Sequence, residues 1–326
     1  MVDVANAAGV SLKTVSRVIN AEAGVRPDTI RRVLEASTEL RYERNDLAAS
    51  LRHGARSYTL GLVIEDVANP FYSSIAQAVE DSARERSTLL ITASAREDPT
   101  RERELVTALL RRRVDALLVV PTGPDHRYIG DAGFETKIVF VDRPPGKTKA
   151  DTVLGENAAG ARRAVAHLLS HGHTRVAFVG DDLRLYTARE RLAGYRRALA
   201  AAGLQLDPEL VSVVNGTSHA AREAAAKLLA LPRERRPTAI FSGNNRCTVG
   251  VLHALDGKRK RVGLVGFDDF ELADLLGVSV VRTDPYRVGQ LAAELAFSRI
   301  DGNDRKPQRA VVATELVTRG SGEIRP

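Results

Sequence analysis

Two histidines, His167 and His171, stand four positions apart, a spacing that places both imidazoles on one face of a helix where they can bind zinc. The helix of a zinc hydrolase also carries a glutamate beside the first histidine. In this chain Ala166 and Leu168 flank His167 instead. We therefore interpret the pair as part of an ordinary helix end, and we expect no metal site.

The basic run from Lys258 to Arg261 has the composition of a phosphate-binding patch, but a solvated basic loop is the interpretation that we favour. The sequence has no glycine-rich phosphate loop, nucleophile elbow or kinase-type lysine. Its single cysteine, Cys247, excludes an internal disulfide and a cysteine-clustered metal site. We therefore expect no cofactor and no enzymatic activity.

A third set of polar residues lies near the N-terminus, where two short helices are predicted on either side of Gly9. Ser11 is a good N-cap for the second helix, and Val10 is placed to pack against Val15. The face opposite the apolar stripe carries Lys13, Ser16, Arg17 and Asn20. Such a helix can enter a major groove and address base edges and phosphates. The alternative is an ordinary helical hairpin with a solvated face.

Length and charge limit the function classes. A chain of 326 residues suggests two or three compact units. The net charge of +7 favours a polyanionic partner only weakly, because residues 1–57 hold nine Lys/Arg against seven Asp/Glu. Residues Met1 to Val10 contain no basic run followed by an apolar stretch, and no stretch of eighteen apolar residues occurs. We therefore expect no signal peptide, no membrane span and a cytoplasmic protein.

The run from Asp3 to Asn20, DVANAAGVSLKTVSRVIN, closely resembles the N-terminal helix-turn-helix of the lac repressor (LacI/GalR) family. The resemblance implies binding to double-stranded DNA. It assigns base and phosphate contacts to a set of residues at the start and on the outer face of the second helix. These are Ser11, Leu12, Lys13, Thr14, Ser16, Arg17 and Asn20.

The resemblance continues through a third helix that begins at Pro27, where Arg26 replaces the family's usual serine-like cap. The side of this helix expected to be buried comprises Ile30, Val33, Leu34 and Leu40. Residues 44–51 resemble the family's hinge helix, with Asn45 as its N-cap. A helix of two turns is too short to persist alone, so we expect it to fold when paired across a dimer on DNA. The resemblance makes Asn45, Ala48 and Leu51 DNA contacts, with Leu51 as a wedge in the minor groove.

From Tyr58 onward, short apolar strands alternate with amphipathic helices in two series, a pattern that predicts parallel sheets with helices on both faces. We therefore predict an α/β protein with two doubly wound subdomains, similar to periplasmic binding proteins, behind the helix-turn-helix. Ligands of such sheets bind at the carboxyl ends of the strands. The predicted organisation is a DNA-binding domain at 1–44, a hinge helix and linker at 45–57, and an effector-binding core at 58–326. Its first subdomain comprises 58–155 and 286–315, and its second comprises 156–285 and 316–326.

Motifs in the core resemble the same family in the same order, among them Asp66–Tyr72, Val141–Arg143, Arg191–Tyr195 and Gly266–Asp269. By matching position, the resemblance implies that Arg191 and Asp268 clamp an effector with help from Asn244. The full set that it implies for effector binding is Asp66, Phe71, Arg143, Arg191, Asn244, Asp268 and Thr283. Three of them also have a structural interpretation: Asp268 as a loop cap, Phe71 as core, and Arg191 as a solvated or ion-paired side chain.

The resemblance implies that the protein is a sequence-specific transcriptional regulator. The interpretation that we favour is a repressor of an operon for the use of a sugar or another small metabolite. A homodimer would bind a pseudo-palindromic operator, and a sugar or related polyol in the cleft would act as inducer. The alternative is a corepressor-dependent regulator of nucleoside or purine-type metabolism. An exported sugar-binding protein fits less well, because such a protein has no helix-turn-helix like that in residues 1–52. A sugar-modifying enzyme fits less well, because the sequence lacks a set of catalytic residues.

Overall fold

The computed structural model describes residues 1–19, 22–42, 56–123, 125–131, 135–257 and 261–326. The chain forms two compact units, Met1–Ser57 and Tyr58–Pro326, which are described separately below. In the described part of the chain, no helix is both long enough and apolar enough to cross a lipid bilayer.

The first unit contains helices α1 (Val2–Ala8), α2 (Leu12–Ile19) and α3 (Pro27–Glu39). Gly9 ends α1 with a φ of 62°, the left-handed conformation that glycine adopts without steric cost. The small core of this unit joins all three helices through Val4, Ala5, Ala8, Val15, Val18, Val33 and Ala36. The predicted pair of helices around Gly9 is therefore confirmed.

The helix starts follow from their local sequences. The Ser11 hydroxyl accepts a hydrogen bond of 3.1 Å from the Thr14 amide, which caps α2 as predicted. Val10 packs against the cluster that contains Val15. Arg26 precedes α3 without a side-chain cap, so this helix begins on the fixed φ of Pro27 alone.

The predicted buried side of α3 is wrong in part. Val33 is fully buried, but Ile30, Leu34 and Leu40 are 36%, 50% and 47% exposed. The reason is geometric: α1 and α2 cover the row of α3 that carries Val33 and Ala36, and the other apolar residues point away from that row.

The second unit contains two six-stranded sheets. In the first, the strand order is β11-β5-β4-β3-β1-β2 and every neighbouring pair is parallel. In the second, the order is β12-β10-β9-β8-β6-β7, and β12 alone runs antiparallel to its neighbour. The strands are β1 (Thr59–Ile64), β2 (Leu89–Ser94), β3 (Ala116–Val119), β4 (Lys137–Val141), β5 (Asp151–Gly155), β6 (Val176–Gly180), β7 (Val211–Val213), β8 (Ala239–Ser242), β9 (Gly263–Phe267), β10 (Ser279–Thr283), β11 (Arg309–Val312) and β12 (Thr314–Val317).

Helices cover both faces of each sheet. Their bounds are α4 (Pro70–Arg84), α5 (Pro99–Arg111), α6 (Arg127–Asp131), α7 (Asn157–Ser170), α8 (Tyr186–Ala201), α9 (Ser218–Leu229), α10 (Asn245–Ala254) and α11 (Pro285–Ile300). In the first sheet, α4 and α11 pack on one face and α5 on the other. In the second sheet, α9 and α10 pack on one face and α7 and α8 on the other. The predicted α/β class with two doubly wound sheets is confirmed.

We call the first sheet with its helices the first lobe, and the second sheet with its helices the second lobe. The chain passes from the first lobe to the second after β5 and returns after β10, where α11 packs on the first sheet. It crosses again between β11 and β12. Each lobe is therefore built from separate stretches of sequence, and the segments after the parallel strands form the carboxyl edge of its sheet.

Candidate functional site

The polar face of α2 is accessible in the first unit. Ser11, Leu12 and Lys13 are exposed, and Thr14, Ser16 and Arg17 are half-buried. The Thr14 and Ser11 hydroxyls form a hydrogen bond of 2.9 Å, so these two side chains also stabilise the start of the helix. Four of the predicted DNA contacts, Asn20, Asn45, Ala48 and Leu51, lie outside the described residues, as does the predicted hinge helix.

Arg17 is held against the turn that follows α2. Its Nη2 donates to the carbonyl oxygen of Ala23 at 2.6 Å, and its Nε lies 3.6 Å from a carboxylate oxygen of Glu22. The side chain is 38% exposed, so the guanidinium remains in contact with solvent. Arg17 must exchange these contacts for others before it can address a base.

The carboxyl edges of the two sheets carry the predicted effector residues. Asp66 follows β1, Arg143 follows β4, Asn244 follows β8 and Asp268 follows β9, while Thr283 ends β10. Phe71 lies in the first turn of α4, which is the next element after β1. Arg191 comes from the middle of α8 and reaches the same edge of the second sheet.

Arg191 and Asp268 form a buried ion pair. The Arg191 Nη1 donates to Asp268 Oδ2 at 2.9 Å, and Nη2 lies 3.4 Å from Oδ1. The Arg191 Nε donates to the Asn157 side-chain oxygen at 2.8 Å, and Nη1 also donates to the Gly243 carbonyl at 2.7 Å. The guanidinium carbon lies 3.8 Å from the centre of the Phe267 ring. The structure thus joins directly two residues that were expected to clamp a ligand.

Burial raises the pKa of the Asp268 carboxyl, and the Arg191 guanidinium opposes that rise. Asp268 has a φ of 63°, and its amide donates to the Val281 carbonyl on β10 at 2.8 Å. Asp142 repeats this arrangement in the first lobe, with a φ of 64° and an amide bond of 2.7 Å to Val153 on β5. The two lobes therefore present equivalent aspartates at equivalent strand ends.

Arg143 has a carboxylate partner of its own. Its Nη1 and Nη2 donate to the two Glu97 oxygens at 2.8 and 2.6 Å, a bidentate geometry. Nη2 also donates to the Tyr72 hydroxyl at 3.2 Å, and that hydroxyl donates to Asp142 at 3.1 Å. The Arg143 Nε has no hydrogen-bond acceptor and lies 3.7 Å from Asp142. These contacts form one polar cluster at the end of β4.

Asp66 joins the two lobes. Arg246, in the first turn of α10 of the second lobe, donates to Asp66 at 2.5 Å and to Glu65 at 3.1 Å. Next to it, the Asn245 amide donates to the Asn69 side-chain oxygen at 2.9 Å. A backbone hydrogen bond and Arg246 lower the pKa of Asp66. We call this set of contacts the cross-cleft clasp.

Asn244 caps α10, because its side-chain oxygen accepts from the Cys247 amide at 2.7 Å. Its amide nitrogen donates to Asp181 at 3.2 Å. Asp181 follows β6 at the same edge, and burial raises its pKa. In the described part of the chain, Asp181 has no cationic partner within ion-pair distance.

Phe71 and Thr283 have largely structural surroundings. Phe71 is 9% exposed, belongs to the core of the first lobe and meets Tyr72 edge-on at 5.2 Å between ring centres. Thr283 is buried against Gly155, where an added Cβ would lie 3.3 Å from the threonine methyl. Both residues lie near the carboxyl ends of their sheets, and each exposes little surface.

The sequence interpretation missed Glu97, Asp181 and Arg246. A simple signal could have found the first two, because both lie just after a parallel strand, where a ligand cleft is expected. Arg246 lies two positions beyond the predicted Asn244, on the first turn of the following helix.

The histidine pair has protein partners. His167 Nε2 lies 2.6 Å from a Glu323 oxygen, and His171 Nδ1 donates to the His167 carbonyl at 2.9 Å. Within the described ranges, no three His, Cys, Asp or Glu side chains are grouped as metal ligands are. Residues 258–260 of the predicted basic loop lie outside those ranges.

Known proteins share both units. The family model of bacterial regulatory proteins of the lacI family matches residues 1–45, and the model of periplasmic binding protein-like domains matches residues 165–322. The ribose operon repressor of Escherichia coli K12 is 32% identical to the chain, with 98% of the chain and 99% of the relative covered. The transcriptional repressor PurR of Aliivibrio fischeri MJ11 is 28% identical, with 98% and 97% covered.

Among solved structures, the lac repressor dimer bound to operator and an anti-inducer matches with a TM-score of 0.84. The match covers 98% of each chain at 24% identity, a level that supports the fold alone. The three-helix unit and the two-lobed core thus occur together, in this order, in known proteins.

Proposed function

The chain belongs to the LacI family of bacterial regulatory proteins, whose members are DNA-binding transcriptional regulators, and we propose that this one represses an operon for sugar use. A small polyhydroxylated effector binds between the lobes and releases the repressor from its operator. In this proposal the cleft binds its ligand without catalysis, and the protein acts in the cytoplasm, where bacterial DNA lies.

The observation that carries the choice of ligand is the buried Arg191–Asp268 pair at the edge of the second sheet. Its guanidinium donates and its carboxylate accepts, which are the two functions that neighbouring sugar hydroxyls require. The same guanidinium covers one face of Phe267, and the residue is fully buried, so this ring offers no stacking surface to a planar base. Similarity to a ribose operon repressor over nearly the whole chain supports the same choice.

The second candidate is a corepressor-dependent regulator of nucleoside or purine-type metabolism. Similarity to PurR at 28% identity favours it, because the match covers almost the full length of both proteins. In that case the effector would strengthen DNA binding, whereas an inducer would weaken it. The sign of the effector's action therefore separates the two candidates.

We further propose a homodimer that reads two half-sites with its paired α2 helices. A row of exposed leucines in the second lobe, Leu272, Leu275 and Leu276, supports an interface there, since Leu275 alone is 80% exposed. Effector binding would alter whether the paired segments 45–57 fold on DNA. Couplings of this kind are typically worth about 1–3 kcal/mol.

The test combines DNA selection with ligand screening. Repeated selection from random duplexes should enrich a pseudo-palindromic sequence, and thermal-shift screening of sugars, polyols, nucleosides and purines should identify a stabilising ligand. A sugar or polyol that stabilises the protein and releases the selected DNA supports the proposal. A nucleoside or purine that tightens DNA binding supports the second candidate, and failure to enrich any sequence overturns both.

A further inference from the structure

Glu97 occupies both branches of the Arg143 guanidinium. The paired contacts of 2.6 and 2.8 Å leave Nη1 only the Pro121 carbonyl at 3.3 Å, and Nη2 only the Tyr72 hydroxyl, as further partners. A guanidinium fork is the group that binds phosphate and carboxylate ligands in a bidentate manner. In this cleft the fork is already saturated by the protein's own carboxylate.

The backbone places Glu97 there at a cost. Glu97 and the preceding Arg96 have φ values of 58° and 54°, so two consecutive residues other than glycine adopt the left-handed region. Side chains disfavour this conformation, and it persists where surrounding contacts enforce it. Asp98 then caps α5 through the Thr100 amide at 2.8 Å, which fixes the end of the turn. The turn therefore places Glu97 where its carboxylate reaches both terminal nitrogens of Arg143.

The other cleft arginines are neutralised in the same way. Arg191 is paired with Asp268, and Arg246 is paired with the two acidic residues of the clasp. Carboxylates outnumber these arginines six to three, since Asp142 and Asp181 add to the four partners already named. An anion entering this cleft would meet no unpaired guanidinium fork among the three arginines, and it would approach the carboxylates that pair with them.

We propose that Glu97 is a specificity-determining residue that makes the cleft reject anionic ligands, so that the effector carries neither a phosphate nor a carboxylate group. The inference rests on the proposed function, because it assumes that the cleft is the effector site. It narrows the polyhydroxylated effector of the proposed function to uncharged or cationic compounds, and it excludes sugar phosphates, sugar acids and nucleotides.

The test uses inorganic phosphate as probe, measured by calorimetric titration of the full chain. Glu97→Gln keeps the size of the side chain but frees the fork, and it should bind phosphate at least tenfold more tightly than the unaltered protein. The double variant Glu97→Gln/Arg143→Gln should lose this gain. The matched control is Glu315→Gln, which frees the exposed Arg282 outside the cleft and should produce no gain.

Several outcomes would overturn the proposal: no gain in Glu97→Gln, a gain that survives in the double variant, or an equal gain in Glu315→Gln. A second comparison needs no change at Glu97, in case that variant misfolds. The unaltered protein and Arg143→Gln should bind phosphate equally weakly, and tighter phosphate binding by the unaltered protein than by Arg143→Gln would refute the inference.

If Glu97→Gln shows no gain in phosphate affinity while a sugar still releases DNA, the inference fails and the proposed function stands. A protein that selects no DNA sequence fails the proposed function itself.

Discussion

Replacing Arg191 by alanine tests how much the core depends on the buried pair at the edge of the second sheet. The substitution removes the partner of Asp268, whose side chain is only 8% exposed, and deprives the Asn157 oxygen and the Gly243 carbonyl of their donors. It also removes the cation above Phe267. A carboxylate without its cationic partner would then remain at a buried position.

Breaking a buried ion pair by removal of one partner costs about 3–5 kcal/mol, and we expect Arg191→Ala to fall in this range at pH 8. This is a large fraction of the roughly 5–15 kcal/mol that stabilises a typical domain. The assay is urea unfolding at one fixed protein concentration, because dissociation of a dimer would otherwise enter the measured free energy.

The loss should depend on pH. Burial holds the pKa of Asp268 above its ordinary value, and removal of Arg191 takes away the main influence that lowers it. The folded variant then binds a proton more readily than the unfolded chain does. Its free energy of unfolding should therefore rise as pH falls through the raised pKa and should be lost again as pH rises. We expect a smaller deficit at pH 5 than at pH 8.

Arg282→Ala is the matched control, because Arg282 and Glu315 form an exposed pair with side chains 48% and 67% accessible. Its effect should stay within about 1 kcal/mol, as exposed pairs do. The reasoning is refuted if Arg191→Ala costs no more than this control, or if its deficit is the same at both pH values.

Three further predictions concern DNA binding and the lobes. Arg17→Ala should weaken operator binding by about 1–3 kcal/mol and relax the base preference at one base pair per half-site. The control Arg31→Ala, on α3, should change neither the affinity nor the base preference. If repeated selection with Arg17→Ala returns an unchanged base preference, Arg17 does not read that base. Leu51→Ala should reduce the bending of the operator and the specific affinity for it, but leave effector binding and non-specific DNA binding unchanged. The gel mobility of circularly permuted operator fragments measures the bending. Normal bending in this variant would mean that Leu51 packs within the protein. Arg246→Gln should remove the two ion pairs of the clasp, together worth about 1 kcal/mol because the arginine is 32% exposed. The radius of gyration measured by small-angle X-ray scattering should then increase, and an unchanged radius would mean that these ion pairs do not hold the lobes together.

The architecture was predictable because it depends on local patterns. Alternating apolar strands and amphipathic helices specify a parallel sheet wherever they occur, and Gly9, Ser11 and Pro27 each act within one turn of their own positions. The packing of α3 was less predictable. Ile30 and Leu34 follow a helical period as Val33 does, and only the positions of α1 and α2 decide which apolar row is covered.

The position of the candidate residues at the strand ends was predictable, but their partners were not. Arg191 and Asp268 are 77 positions apart, and nothing in either local sequence indicates that they bond to each other. Arg143 was predicted as a ligand contact, yet its fork is taken by Glu97, 46 positions away. Contacts at such separations depend on the order of the strands in the sheet and on the exact turns between them, which short sequence patterns do not encode.

The order of the two lobes' segments along the sequence has a consequence for biosynthesis. Five of the six strands of the first lobe are complete at Gly155. Helix α11, which packs beside α4 on the same face of this sheet, ends only at Ile300, 145 residues later, and the edge strand β11 follows it. At about 5–20 residues per second, a ribosome needs roughly 7–30 s to bridge that interval. During this time the apolar surface later covered by α11 and the open edge of β5 are exposed to chaperones and to other nascent chains. A stalled or truncated product ending before residue 300 is therefore expected to aggregate through this lobe, even though most of its sheet has already been made.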